Sequence, residues 1–132
     1  MSVKIYHNPE CGTSRNTLEM IRASGVEPEI VLYMETGWAR ETLSRLLADM
    51  SLRPRDVLRI SKSPAEALGL TDPSVSDEAL FEAMLEHPVL VNRPIVVTPK
   101  GTRLCRPSEE VFGLLQDPPV RFVKEDGEVV GQ

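Results

Sequence analysis

The chain has 132 residues, a formal net charge of −5, 41% hydrophobic residues, two cysteines and two histidines. That length supports one domain with a substantial core, and the acidic balance argues against non-specific binding of nucleic acid or an anionic membrane. No apolar run reaches the roughly eighteen residues that span a bilayer, and Met1-Ser2-Val3-Lys4 has no apolar signal segment, so the expected location is the cytoplasm.

Residues 2–6 alternate in polarity and read as a strand. Residues 14–24 read as a helix with Leu18 and Ile21 on one face, and Gly25 follows as a left-handed terminator. Residues 29–34, EIVLYM, form a second strand, which completes a right-handed parallel βαβ unit. Residues 39–50 place Leu43, Leu46, Leu47 and Met50 along one helical face. Pro54 sits in the first turn of a short helix. Ser63-Pro64-Ala65-Glu66 has the form of a capping box, with Gly69 ending that turn. Ser76 caps a further helix, residues 77–86, whose inner face is Leu80, Phe81, Met84 and Leu85, and Pro88 stops it. Residues 94–98 and 103–105 read as a β-hairpin turning at Gly101, and residues 108–115 as a closing helix. The tail, residues 117–132, contains Pro118-Pro119 and many charges and is expected to be loop or partly disordered.

The order βαβ, helical block, ββα fits an α/β fold with a mixed sheet. It predicts a domain over residues 1–116 with a helical insertion at about 38–87.

Cys11 falls where the first strand hands over to the first helix. A helix N-terminus presents unpaired N–H groups and the positive end of a dipole. The amides of Gly12, Thr13, Ser14 and Arg15 can therefore stabilise a thiolate or an oxyanion there. His7, at the strand end, could lower the thiol pKa as an imidazolium; it could equally be a surface histidine. Arg15 adds positive charge or points to solvent. The competing reading of Cys11 is a small, buried, inert side chain. Spacing removes two alternatives. A phosphatase-like loop would place an arginine where Thr17 stands, and a dithiol oxidoreductase would place a cysteine where Ser14 stands. The Cys-x-x-Ser frame is a monothiol arrangement, so a disulfide formed at Cys11 is resolved by a thiol from elsewhere. Cys105, on a strand beside Leu104, fits a buried structural role. No Cys/His quartet has zinc spacing, so no metal and no bound cofactor are expected.

Arg59, Arg93 and Arg106 are candidate anion ligands, because the planar guanidinium fork donates paired hydrogen bonds. Arg93 precedes Pro94 and Arg106 precedes Pro107. Each alone also fits a surface ion pair, and periodicity does not bring the three together.

The stretches IYHNPECGTSRNTLEMIRASG, DVLRISKSPAEALGL and VNRPIVVTPKGTRLCRPSEEV closely resemble the glutaredoxin-coupled arsenate reductases. The likeness runs in register from about residue 3 to residue 115. It implies a thioredoxin-like fold with a helical insertion and a cis-proline at Pro94 facing the cysteine loop. It implies that Cys11 is the catalytic cysteine, that His7 lowers its pKa and that Ser14 assists the thiolate. It assigns Arg59, Arg93 and Arg106 to the arsenic oxyanion. The implied reaction is arsenate reduction through a Cys11 thiol–arsenate adduct, with glutathione as co-substrate and glutaredoxin as partner. Two other functions stay open: a glutathione-dependent thiol reductase without arsenic specificity, and a redox regulator of the same broad family that docks on RNA polymerase. Ser14 in place of a second cysteine speaks against a dithiol switch, and the three arginines favour an oxyanion substrate.

Overall fold

The apolar residues at the start of the chain build the centre of a sheet. The structure is a computed structural model that describes residues 1–131. It divides into two units, Met1–Leu32 together with the chain from Arg93 onward, and Tyr33–Asn92.

In the first unit, strand β1 (Lys4–Tyr6) leads into helix α1 (Gly12–Ala23) and then strand β2 (Glu29–Val31). β1 pairs parallel with β2 and antiparallel with β3 (Ile95–Thr98), which pairs antiparallel with β4 (Gly101–Leu104). The sheet order is β2-β1-β3-β4, the expected mixed sheet. Ile5 on β1 lies between Ile30 and Val96 in register. α1 turns Leu18, Met20 and Ile21 into a core shared with Ile5, Val96 and Leu114. Its buried Thr17 hydroxyl donates to the Thr13 carbonyl at 2.8 Å, so that polar group is not orphaned. Gly25, with φ +91°, ends the helix in the left-handed geometry that a Cβ disfavours.

The second unit holds three helices. α2 is a single turn (Tyr33–Thr36), α3 spans Arg40–Met50 and α4 spans Asp77–Glu86. α3 buries Leu43, Leu46 and Leu47, and α4 buries Leu80 and Met84. Ser76 caps α4 by accepting the Ala79 N–H at 3.1 Å. A short 3-10 helix, Pro54–Val57, stands where Pro54 was expected to open a helix.

Several expectations need correction. The strand predicted over residues 29–34 stops at Val31, because Tyr33 is buried in the second unit. Its ring stacks on Trp38 at 5.0 Å and its hydroxyl donates to the Val91 carbonyl at 3.4 Å. Residues 63–66 lie in a run of bends and turns, where the Ser63 hydroxyl accepts the Ala65 N–H. The closing helix is of the 3-10 type, Ser108–Leu114. The tail, expected to be loop, folds into an antiparallel hairpin of β5 (Arg121–Val123) and β6 (Val129–Gly131). Phe122 and Val130 face each other in that hairpin and both join the core of the first unit. Gly131 makes the register possible, since a Cβ there would lie 2.5 Å from the Val120 carbonyl oxygen. The Arg93–Pro94 bond is cis, as the resemblance implied, and Arg106–Pro107 is cis as well.

Ile5 is fully buried at the centre of the sheet. Ile5→Ala is expected to cost about 2–5 kcal/mol, read as a lowered urea midpoint with little change in slope.

Candidate active site

The loop after β1 is shaped by hydrogen bonds that begin at the sheet edge. The His7 N–H donates to the Val31 carbonyl at 2.9 Å, which fastens the strand end. The Asn8 side-chain oxygen accepts the Glu10 N–H at 3.0 Å, and the Asn8 carbonyl accepts the Cys11 N–H at 3.0 Å. This is an Asx-type turn, and it delivers Cys11 to the N-cap of α1 in extended geometry, φ −105° and ψ 123°. The Cys11 carbonyl accepts the Arg15 N–H at 2.9 Å, and its side chain faces the Ser14 N–H in the first turn. The sulfur therefore stands at the positive end of the helix.

Ser14, fully buried one turn into α1, ties the loop together. Its hydroxyl oxygen accepts the Asn8 N–H at 3.1 Å and lies 2.7 Å from His7 Nδ1. Burial, and then the positive charges of Arg22 and Arg15, hold the His7 pKa below its ordinary value. A neutral ring leaves Nδ1 as an acceptor for the serine proton when the ring proton sits on Nε2. The expected imidazolium is thus the disfavoured state of His7. Its contact is to Ser14, and burial is the largest cause of the lowered pKa.

Cys11 is buried, and burial by itself raises a thiol pKa. That effect is outweighed by the Ser14 N–H, the charge of Arg93 and hydrogen bonds from Arg106 and Arg93, so the Cys11 pKa falls below its ordinary value. Arg106 Nη1 lies 3.7 Å from the Cys11 sulfur and donates to the Arg93 carbonyl at 3.0 Å. Ser14, Arg93 and Arg106 therefore act on Cys11 directly, and His7 reaches the site through the Ser14 hydroxyl. Arg59 belongs to the second unit, where it is buried. Its N–H donates to the Leu90 carbonyl at 2.8 Å and its Nε to the Ser61 carbonyl at 2.9 Å.

One contributor escaped the sequence reading. Asn8 shapes the cysteine turn, and the Asn8-Pro9 pair was the signal for it. Arg15 does not point freely to solvent: Nη1 donates to the Pro9 carbonyl at 2.8 Å and the rest of its fork grips Glu125. Cys105 is fully buried, and burial pushes its pKa up to about 12. Among the described residues no cluster of His, Cys, Asp and Glu could hold a metal ion, and no helix is long and apolar enough to cross a membrane.

A mixed sheet with a cis-proline opening β3, and a low-pKa cysteine at the N-terminus of α1, defines a protein of the thioredoxin-like class. Within that class, the profile of the ArsC family matches residues 6–113, and the chain belongs to that family. It is 57% identical over 130 residues to an arsenate reductase of Escherichia coli, covering 98% of this chain and 92% of the relative. An arsenate reductase of Yersinia enterocolitica is 56% identical with the same coverage. The solved structure of an arsenate reductase from Vibrio cholerae superimposes with a TM-score of 0.81 at 43% identity, covering 87% of this chain and 98% of that one.

Alkylation by iodoacetamide should titrate Cys11 with a midpoint below 9.0, its ordinary value, while Cys105 stays unreacted until the protein unfolds. Arg106→Ala removes a favourable bond to the thiolate and should raise that midpoint. The same shift has a stability consequence. A depressed pKa stabilises the fold fully above the unfolded thiol pKa, and the gain is lost as pH falls through the folded value. Cys11→Ser should flatten the stability–pH curve in that window, as measured by urea unfolding across pH.

Proposed function

We propose that this chain is an arsenate reductase whose nucleophile is the Cys11 thiolate. The observation that carries the reading is the Cys11 sulfur at the N-terminus of α1 with Arg106 Nη1 3.7 Å away. The curated relatives named arsenate reductase support the substrate. A tetrahedral oxyanion suits this corner, where helix amides and guanidinium groups offer donors at fixed positions. Arg93 and Arg106 hold arsenate oxygens; Arg59 is assigned to the oxyanion by the family resemblance alone.

The Cys11 thiolate attacks arsenic. A sulfur–arsenic bond forms, an arsenic–oxygen bond breaks, and the leaving oxygen departs as water after taking up a proton. The arginines offset the negative charge that builds on the remaining oxygens. Ser14 and His7 keep the loop in place, and the lowered thiol pKa enlarges the share of thiolate available for attack.

Reduction then draws on two external thiols. Glutathione displaces a second oxygen as water and becomes bonded to arsenic through sulfur. Glutaredoxin's thiolate attacks the glutathione sulfur, a mixed disulfide forms, and the electron pair of the arsenic–sulfur bond stays on arsenic. Hydrolysis of the remaining bond to Cys11 releases arsenite and restores the thiol. Two thiols are oxidised to one disulfide as arsenic gains two electrons, so the balance closes. The monothiol frame and the buried, high-pKa Cys105 support external reductants.

Arsenite formation with glutathione and glutaredoxin should fall on the order of 10³-fold or more in Cys11→Ser. Arg93→Ala and Arg106→Ala should each lower kcat/KM for arsenate by about 10²–10³, with the alkylatable thiol retained. Normal turnover by Cys11→Ser would remove the nucleophile assignment. Thiol turnover by the wild type that is indifferent to arsenate would favour a general glutathione-dependent reductase instead.

A further inference from the structure

The C-terminal hairpin puts two consecutive residues of opposite charge on the two segments that carry the site. Glu125 meets α1. Its carboxylate accepts from Arg15 Nε at 2.7 Å and Arg15 Nη2 at 3.0 Å, a paired fork-to-carboxylate contact, and its N–H donates to the Asn16 side-chain oxygen at 3.0 Å. The same guanidinium holds the Pro9 carbonyl, two residues before Cys11, at 2.8 Å. Lys124 meets the other segment. Its ammonium lies 2.7 Å from the carboxylate of Glu109, three residues after Arg106. Lys124 is nearly covered, and its second partner is Glu128 at 3.3 Å. The turn between them is fixed by the Lys124 N–H to Glu128 carbonyl bond at 2.8 Å and the Gly127 N–H to Lys124 carbonyl bond at 2.9 Å.

We infer that Lys124 and Glu125 are positioning residues: the hairpin turn straps the Cys11 loop to the Arg106 segment and so sets the approach of the Arg106 guanidinium to the Cys11 sulfur. Neither residue touches the sulfur. Glu125 acts through Arg15 and Pro9, and Lys124 acts through Glu109. The geometry also gives Arg15 a role other than anion ligand, because its fork is committed to Glu125 and Pro9. An isolated surface ion pair would contribute little. Here the pairs bridge segments remote in sequence, and the planar fork fixes orientation as well as distance. The strap rests on the reading of Cys11 and Arg106 as the reacting site.

Charge and position act on the thiol in opposite directions when Glu125 is neutralised, and that makes the test decisive. Removing a negative charge close to the loop, with Arg15 left unneutralised, favours the thiolate. Losing the strap loosens Arg106 from the sulfur and disfavours it. Glu125→Gln in the full-length chain should therefore raise the alkylation midpoint of Cys11 and lower kcat/KM for arsenate roughly tenfold. Glu125→Asp should recover part of both. Lys124→Gln should shift the midpoint in the same direction, and Glu27→Gln, which breaks an exposed pair at the far end of α1, should leave it in place. A lowered or unmoved midpoint in Glu125→Gln, or a shift just as large in Glu27→Gln, would overturn the strap. The alkylation readout needs no arsenate, so it stands apart from any failure of the arsenate reading. A wild-type chain without arsenate turnover but with the expected midpoint shifts would sink that reading and leave the strap in place.

Discussion

The site depends on one competition, between the burial of Cys11 and the donors aimed at it. A thiolate taken out of water is costly, and burial alone would hold the sulfur protonated and inert. The Ser14 N–H at the start of α1 and the guanidinium groups of Arg93 and Arg106 reverse that outcome. Cys105 is the internal control, because it has the burial without those donors, and its pKa goes the other way, up to about 12. Two thiols in one core thus differ in chemistry through their position relative to a helix end and two arginines.

That competition explains why so much of the surrounding structure serves to hold the loop still. The helix amide helps only if the sulfur sits over it, and the guanidinium helps only within hydrogen-bond reach. Asn8 turns the chain, His7 anchors it to β2 through the Val31 carbonyl, and Ser14 joins both through one hydroxyl. A charged His7 would lower the thiol pKa through space but would cost desolvation in a buried place that already feels the charges of Arg22 and Arg15. A neutral ring keeps the bond to Ser14 and leaves the electrostatic contribution to the arginines.

The sequence was legible where local patterns decide structure. The first strand, at Lys4–Tyr6, the spacing of Leu43, Leu46 and Leu47, the Ser76 cap and the strand-to-helix placement of Cys11 all appear in the fold. The hairpin of residues 121–131 was hidden because each strand has three residues and only Phe122 and Val130 turn inward, too few for a periodicity to stand out beside Pro118-Pro119 and the charges. The early end of β2 follows from the burial of Tyr33 against Trp38, a tertiary fact. Convergence of Arg93 and Arg106 on Cys11 could not be read from spacing, since Arg106 lies 95 residues away in the chain and arrives through the β3–β4 hairpin. The family likeness had assigned those arginines. What it could not convey was the neutral state of His7, which depends on how deeply the ring is covered.

Position 14 shows why the monothiol frame belongs to the architecture. In a dithiol protein the fourth residue of the motif must present a sulfur that can reach the first. Here the Ser14 oxygen is fully buried and engaged with both His7 Nδ1 and the Asn8 N–H. A sulfur in its place would be larger and a weaker hydrogen-bond partner, so it would loosen the turn that holds Cys11 over the helix end. The residue that could have resolved a disulfide internally is instead built into the scaffold that lowers the first thiol's pKa. Cys105 offers no substitute, because a thiol buried in the core with a pKa of about 12 presents almost no thiolate at neutral pH. Activation of Cys11 and internal resolution therefore compete for the same position, and a serine there commits the reaction proposed above to thiols delivered from outside.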